Sequence, residues 1–271
     1  MAFMNGVAFG QYIPADSAIH ALDPRCKILM TLLTMTSIFI CETLSALILW
    51  GVLLPATIHM SKVPVRAVLR SAKPVIVLIA FTSLLHLFWT PGHEIFKVAF
   101  LSVTDKGCVM AVRMGLRLFY LVLYAGLLTL TTSPSELSDG LEAIMRPFGR
   151  IGLPSHEIAM MMTIALRFIP TLFEETDRII KSQMSRGADF ESGGLVRRAR
   201  SYIPVLIPLF VLVFQRADTL ASAMEARCYR GGKGRVRMYP LKWGAGENRA
   251  LAVLALFIAV IVLAERMNFW I

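Results

Sequence analysis

The sequence predicts an all-α integral membrane protein with about five transmembrane helices and further long helices on the cytoplasmic side. Three observations lead there. Of 271 residues, 56% are hydrophobic and the mean hydropathy is +0.64, against roughly 45–50% apolar residues in a soluble domain. Only 17% are charged, where about 25% is usual. The apolar residues also fall in long runs bordered by Lys and Arg. The net charge of +10 therefore reads as basic residues retained on the cytoplasmic face, and no nucleic-acid partner is expected. Cys26, Cys41, Cys108 and Cys228 form no CxxC pair, so neither a disulfide framework nor a zinc site is expected. The first residues lack a basic head followed by an apolar core, and no cleaved signal peptide is expected.

Residues 28–60 carry one charge, Glu42. As a single helix they would run about 50 Å, whereas the hydrocarbon core is ~30 Å thick. A tight hairpin near Glu42 and Thr43, with spans 26–41 and 43–60, fits better than one long tilted helix. The third span is PVIVLIAFTSLLHLFWT, residues 74–90, with Trp89 placed as an interfacial anchor. Residues 108–131 form the fourth and 249–267 the fifth, which runs into a second aromatic anchor, NFWI. In the fourth, Arg113 and Arg117 are four apart and share a face. Two readings are open: both snorkel to the interface, or they make an intramembrane contact with a partner.

Loop charge orients the spans. Residues 61–73 hold Lys62, Arg66, Arg70 and Lys73 and no acid, while in residues 90–107 Lys97 and Lys106 are offset by Glu94 and Asp105. Residues 131–248 hold 16 Lys/Arg and 12 Asp/Glu. The positive-inside rule then makes 61–73 and 131–248 cytoplasmic, with the N-terminus inside and the C-terminus outside. The expected division is a membrane part over 1–131, a cytoplasmic-side region over 132–248, and a C-terminal transmembrane helix over 249–271.

A middle region of that length requires structure of its own. SPSELSDGLEAIMRPFG reads as a helix with Ser135 as N-cap, ending before Pro147. A second helix spans 154–186, starting at Pro154, stopping at Gly187 and kinked by Pro170. A third runs from about 195 to 229, broken or bent at Pro204 and Pro208, and stops at Gly231 and Gly232. The middles of both long helices are apolar (AMMMTIALRFIP and PVLIPLFVLVF) and their ends are charged. A stripe of Met and small residues suits an adaptable contact surface, or packs on the protein's own helices. The two helices end alike, in Ser185-Arg186-Gly187 and Ala226-Arg227-Cys228. One such arginine is what the helix macrodipole favours. Two, 41 residues apart, suggest guanidinium forks for carboxylates on another protein.

With these residues the chain resembles the transmembrane T component of energy-coupling factor (ECF) transporters, the EcfT/CbiQ family. The resemblance runs through Leu22-Asp23-Pro24-Arg25-Cys26-Lys27, Thr131-Thr132-Ser133-Pro134, Ala165-Leu166-Arg167-Phe168-Ile169-Pro170, Ser185-Arg186-Gly187 and Ala223-Met224-Glu225-Ala226-Arg227. It implies a non-catalytic subunit of a prokaryotic cell-membrane importer of vitamins or metal ions. Two ABC ATPase subunits would carry ATP and Mg, with no cofactor bound by this chain. A membrane S component would bind the substrate. The resemblance makes Ser185, Arg186, Gly187, Ala226, Arg227 and Cys228 the expected ATPase-coupling residues. Met161, Met162, Ile169, Leu206, Leu209 and Phe210 are the expected S-component contacts. Pro170 and Pro204 are the expected kinks. Cys228 departs from the family's usual glycine, and Gly231 is the alternative terminator. The basic residues Arg230, Lys233, Arg235 and Arg237 are expected to face anionic lipid.

RGGKGR lacks the Ser/Thr and the spacing of a phosphate-binding loop, so ATP hydrolysis is expected on a partner. A membrane-embedded enzyme is the alternative of a different class, because Glu174-Glu175-Thr176-Asp177-Arg178 is similar to the EExxxR motif of intramembrane proteases. The arginine comes one residue early, however, and the five histidines are scattered. The simpler reading is a solvated face with i,i+4 pairs. A stand-alone permease is the remaining alternative, but the spans hold few ionisable groups suited to a substrate path.

Overall fold

A computed structural model describes residues 12–98, 101–147, 155–190, 194–231 and 241–266. Pro154, the NFWI anchor, Gly232, Lys233, Arg235 and Arg237 lie outside the described residues. The chain forms two compact units, Met1–Ile144 with Pro240–Ile271, and Met145–Tyr239.

The first unit opens with α1, Pro24–Ile40. Asp23 caps it by accepting a bond from the Arg25 amide at 2.9 Å, and Pro24 takes the first turn, where a missing N–H costs nothing. The helix stops at Cys41 and α2, Leu44–Ser61, starts after Thr43. The chain therefore turns tightly at residues 41–43, as expected from its length, and the single tilted helix is excluded. Glu265 of α10 (Ala245–Arg266) closes the turn: its Oε1 accepts from the Glu42 and Thr43 amides, each at 3.0 Å, and from Thr43 Oγ1 at 2.7 Å.

Two loops carry structure that the sequence reading did not assign. Residues Val65–Ala72 form α3, an amphipathic helix that buries Val68 and Ala72 and exposes Arg66 and Arg70. After a 3-10 turn, Lys73–Val75, comes α4, Ile76–Trp89. A short antiparallel hairpin follows, β1 (Glu94–Val98) and β2 (Leu101–Thr104), with Val98 opposite Leu101 and an irregularity between Glu94 and Phe96. The other regular elements among the described residues are helical. Thr104 then caps α5, Asp105–Thr131, by accepting from the Gly107 amide at 3.0 Å.

The N-cap of α6 (Pro134–Met145) is Ser133, not Ser135. Ser133 Oγ accepts from the Glu136 amide and Glu136 Oε2 accepts from the Ser133 amide, both at 3.2 Å. This is a reciprocal capping box with proline at the first helical position. Ser135 bonds only sideways, to the Ser133 hydroxyl.

The core of this unit lies between α1, α2, α5 and α10. Trp50 is fully buried and stands edge-on to Tyr124 and Phe257, while Tyr124 donates to the Trp50 carbonyl at 3.2 Å. Arg117 stays within the chain, donating to the Cys41 carbonyl and lying over the Phe39 ring. A backbone carbonyl left free by the α1–α2 turn thus holds the charge that the sequence reading left to the interface or to a partner.

The second unit holds α7, Ser155–Ser185, which continues through Pro170. The expected third long helix is two helices, α8 (Leu195–Ser201) and α9 (Ile203–Ala226), divided at Tyr202. Pro204 sits in the first turn of α9 and Pro208 inside it. Among the described residues, six helical runs are long and apolar enough to cross a membrane: Leu44–Ser61, Val65–Trp89, Asp105–Thr131, His156–Ser185, Val196–Ala226 and Ala245–Arg266. This differs from the expected five. With 17 residues, α1 reaches about 26 Å, just short of the core thickness, whereas α7 and the α8–α9 run qualify by composition.

Candidate coupling site

The paired helix ends are built alike, down to individual hydrogen bonds. In α7 the Gly187 amide donates to the Met184 carbonyl at 2.9 Å and the Ala188 amide to the Gln183 carbonyl at 3.0 Å. In α9 the Cys228 amide donates to the Glu225 carbonyl at 2.8 Å and the Tyr229 amide to the Met224 carbonyl at 3.0 Å. Each is a Schellman closure, with the arginine as the half-helical cap and the next residue left-handed. Gly187 has φ +87° and Cys228 has φ +54°. Cys228 thus takes in α9 the place that Gly187 takes in α7, and Gly231 does not end the helix. Its own positive φ, +86°, lies three residues further on.

This closure fixes where the two arginines leave their helices. A cap arginine leaves the helix at its last turn, beside carbonyls that carry the negative end of the dipole. Arg186 and Arg227 are both exposed. Among the described residues neither side chain forms an ion pair or a hydrogen bond. Ser185, Gly187, Ala226 and Cys228 are exposed too, so each tip is an open surface whose cap arginine has no partner among the described residues.

Most of the apolar residues expected behind the tips are exposed as well. Met161 is 58% exposed and Met162 39%, Leu206 47% and Phe210 60%, while Ile169 and Leu209 are half-buried. The α9 stripe is wider than the sequence reading had it, since Ile207, Val211 and Phe214 are equally exposed. Pro170 and Pro204 are exposed as well.

The acidic run after Phe173 does not form a catalytic arrangement. Asp177 pairs with Lys181 at 2.5 Å, i to i+4, as a solvated face would. Glu175 differs: it pairs with Arg178 at 3.9 Å and, across to α9, with Arg216 at 3.1 Å. The sequence reading missed Arg216. The signal was there, in a charged residue placed just past the apolar run of each helix. No group of three or more His, Cys, Asp or Glu able to hold a metal occurs among the described residues.

The two N-terminal family motifs meet in the first unit. Lys27 is 5% exposed, and its Nζ donates to the His20 carbonyl at 2.9 Å and the Thr131 carbonyl at 3.2 Å. Glu247 of α10 accepts from the Asp23 amide at 3.3 Å and the Gly244 amide at 2.9 Å. Gly140 of α6 lies so close to α1 that a Cβ there would sit 2.9 Å from Ile28 and 3.1 Å from Pro24.

Residues 15–239 match the family model for CbiQ, described as a cobalt transport protein. The chain belongs to the CbiQ/EcfT family. Relatives named energy-coupling factor transporter transmembrane protein EcfT share high identity along almost the whole length. One from Thermanaerovibrio acidaminovorans is 53% identical over 98% of this chain and 99% of its own. One from Acidaminococcus fermentans is 51% identical over 94% and 96%. One from Bacillus subtilis is 41% identical over 96% and 98%. Family membership and the apolar helices together make this a multi-pass membrane component of an ECF transporter.

Proposed function

We propose that this family member couples ATP hydrolysis on two partner ABC ATPase subunits to a membrane S component that carries the substrate, and is itself non-catalytic. The observation that carries the reading is the pair of helix ends closed by the same two Schellman bonds, each presenting an arginine with no partner among the described residues. Buried or satisfied arginines would be structural. Two exposed ones at equivalent caps suit two equivalent acidic grooves, and two ATPase chains supply them. The exposed apolar stripes of α7 and α9 are the surface offered to the S component. ATP and Mg belong to the ATPases.

On this reading both tips face the cytoplasm. The link between α7 and α9 contains Asp189, Arg197, Arg198 and Arg200, and such a segment does not cross a bilayer. Residue 203 then lies on the same face as residue 186, and residue 227 shares that face provided α9 does not cross. On this reading α9 lies along the membrane rather than through it, although its composition would permit a span. That keeps residues 132–248 on the cytoplasmic side, with the N-terminus inside and the C-terminus outside.

The test is co-purification from membranes of the tagged chain and its Arg186→Glu/Arg227→Glu variant. The wild type is expected to bring down two ATPase chains and a small membrane subunit, and the variant to lose the ATPases through charge repulsion. A wild-type chain that purifies alone, or a variant that keeps its ATPases, would sink the assignment.

A further inference from the structure

The contact between Glu175 and Arg216 joins residues in equivalent positions of two equivalent helices. In α7 the last apolar residue before the charged stretch is Phe173 and Glu175 is the second residue beyond it; in α9 it is Phe214 and Arg216 is the second residue beyond it. Arg186 follows Glu175 by eleven residues, and Arg227 follows Arg216 by eleven. Eleven residues make three helical turns to within about 20° and roughly 16 Å of axial rise. Each cap arginine therefore leaves its helix from nearly the face that carries the ion pair, at the same distance from it. Contact between equivalent positions is what a local two-fold arrangement produces.

We propose that Glu175 and Arg216 form a positioning clamp that sets the spacing of the two arginine tips, so that both ATPases can dock at once. This rests on the coupling reading of Arg186 and Arg227. The two helices pack against each other, and apolar contact alone would not fix their register, whereas a hydrogen-bonded ion pair is directional. At 3.1 Å, with side chains 20% and 32% exposed, it is shielded more than a surface pair. Specifying register is the best-attested use of such a pair. Arg178, 3.9 Å from Glu175 and 76% exposed, lies on α7 itself. It neutralises Glu175 without joining the helices.

The experiment uses the full chain in lipid nanodiscs, with genetically encoded nitroxide side chains at exposed Ser182 and Ser222, and two readouts. One is the distribution of label–label distances. The other is recovery of the ATPase subunits from membranes. Wild type is expected to give one narrow distribution. Glu175→Gln and Arg216→Gln are each expected to widen it at least twofold and to cut ATPase recovery at least fivefold. The exchange Glu175→Arg/Arg216→Glu should bring both readouts back within twofold of wild type. Arg216→Lys, which keeps the charge but loses the fork, should fall between. An unchanged distribution in the single variants overturns the clamp, and so does a widened one with full ATPase recovery. If the single variants cannot be purified while Arg216→Lys behaves as wild type, the pair serves folding only and the proposal fails. If wild type itself recovers no ATPase, the coupling reading fails, and the distance readout alone still rules on the clamp.

Discussion

At the scale of single residues, Cys228 shows how a side chain adapts to a backbone chosen by its neighbours. A left-handed residue other than glycine costs about 1–2 kcal/mol, yet here it closes α9 with both Schellman bonds. Cys228→Gly is expected to relieve about 1 kcal/mol of that strain. Hydrogen exchange at the Tyr229 amide, bonded to Met224, should slow about fivefold; unchanged or faster exchange would show that the position is unstrained. The converse change, Gly187→Ala, meets no atom within 4 Å, so its cost of about 1 kcal/mol would be conformational alone. From sequence, the cysteine suggested that the helix stops elsewhere. Local propensity lost to the bonds available at the helix end, and those bonds are not visible in residue type.

At the scale of elements, the long apolar helices were legible because their length and composition are extreme. The short ones were not. The amphipathic α3 has eight residues and was hidden under the charge count that oriented its loop. The β1–β2 hairpin was hidden because nine strand residues between two spans read as loop. The helix start at Ser133 was misplaced by two residues because Ser133 and Ser135 are both good caps, and the reciprocal bond with Glu136 decides between them. Lys27 is the clearest case of a motif residue whose work appears only in three dimensions. It ties the segment before α1 to the end of α5 through two carbonyls. Lys27→Met would keep most of the packing and leave both acceptors bare, at an expected cost of about 1–3 kcal/mol. Cys26 and Cys41 are buried, so a thiol-reactive dye should report earlier thermal exposure in the variant. An unchanged melting profile would mean that those carbonyls find other donors.

At the scale of the whole molecule, the proposed role is mechanical connection, with the chemistry left to the partner ATPases. The sequence motifs placed it in its family, and the arginine tips were legible as a repeat of residue types 41 apart. The ion pair between α7 and α9 was not, because nothing in one sequence says which residue of one helix meets which of another. The central claim is that the two cap arginines touch the ATPases. It is tested most directly by placing a photo-crosslinking residue at Ser185 and, separately, at Ala226, the last helical residues before the arginines, and irradiating intact membranes. The account predicts an ATPase adduct from each position, with a control at exposed Val77 giving none. Adducts only to lipid or to other membrane subunits, from a chain that still co-purifies with its ATPases, would contradict it.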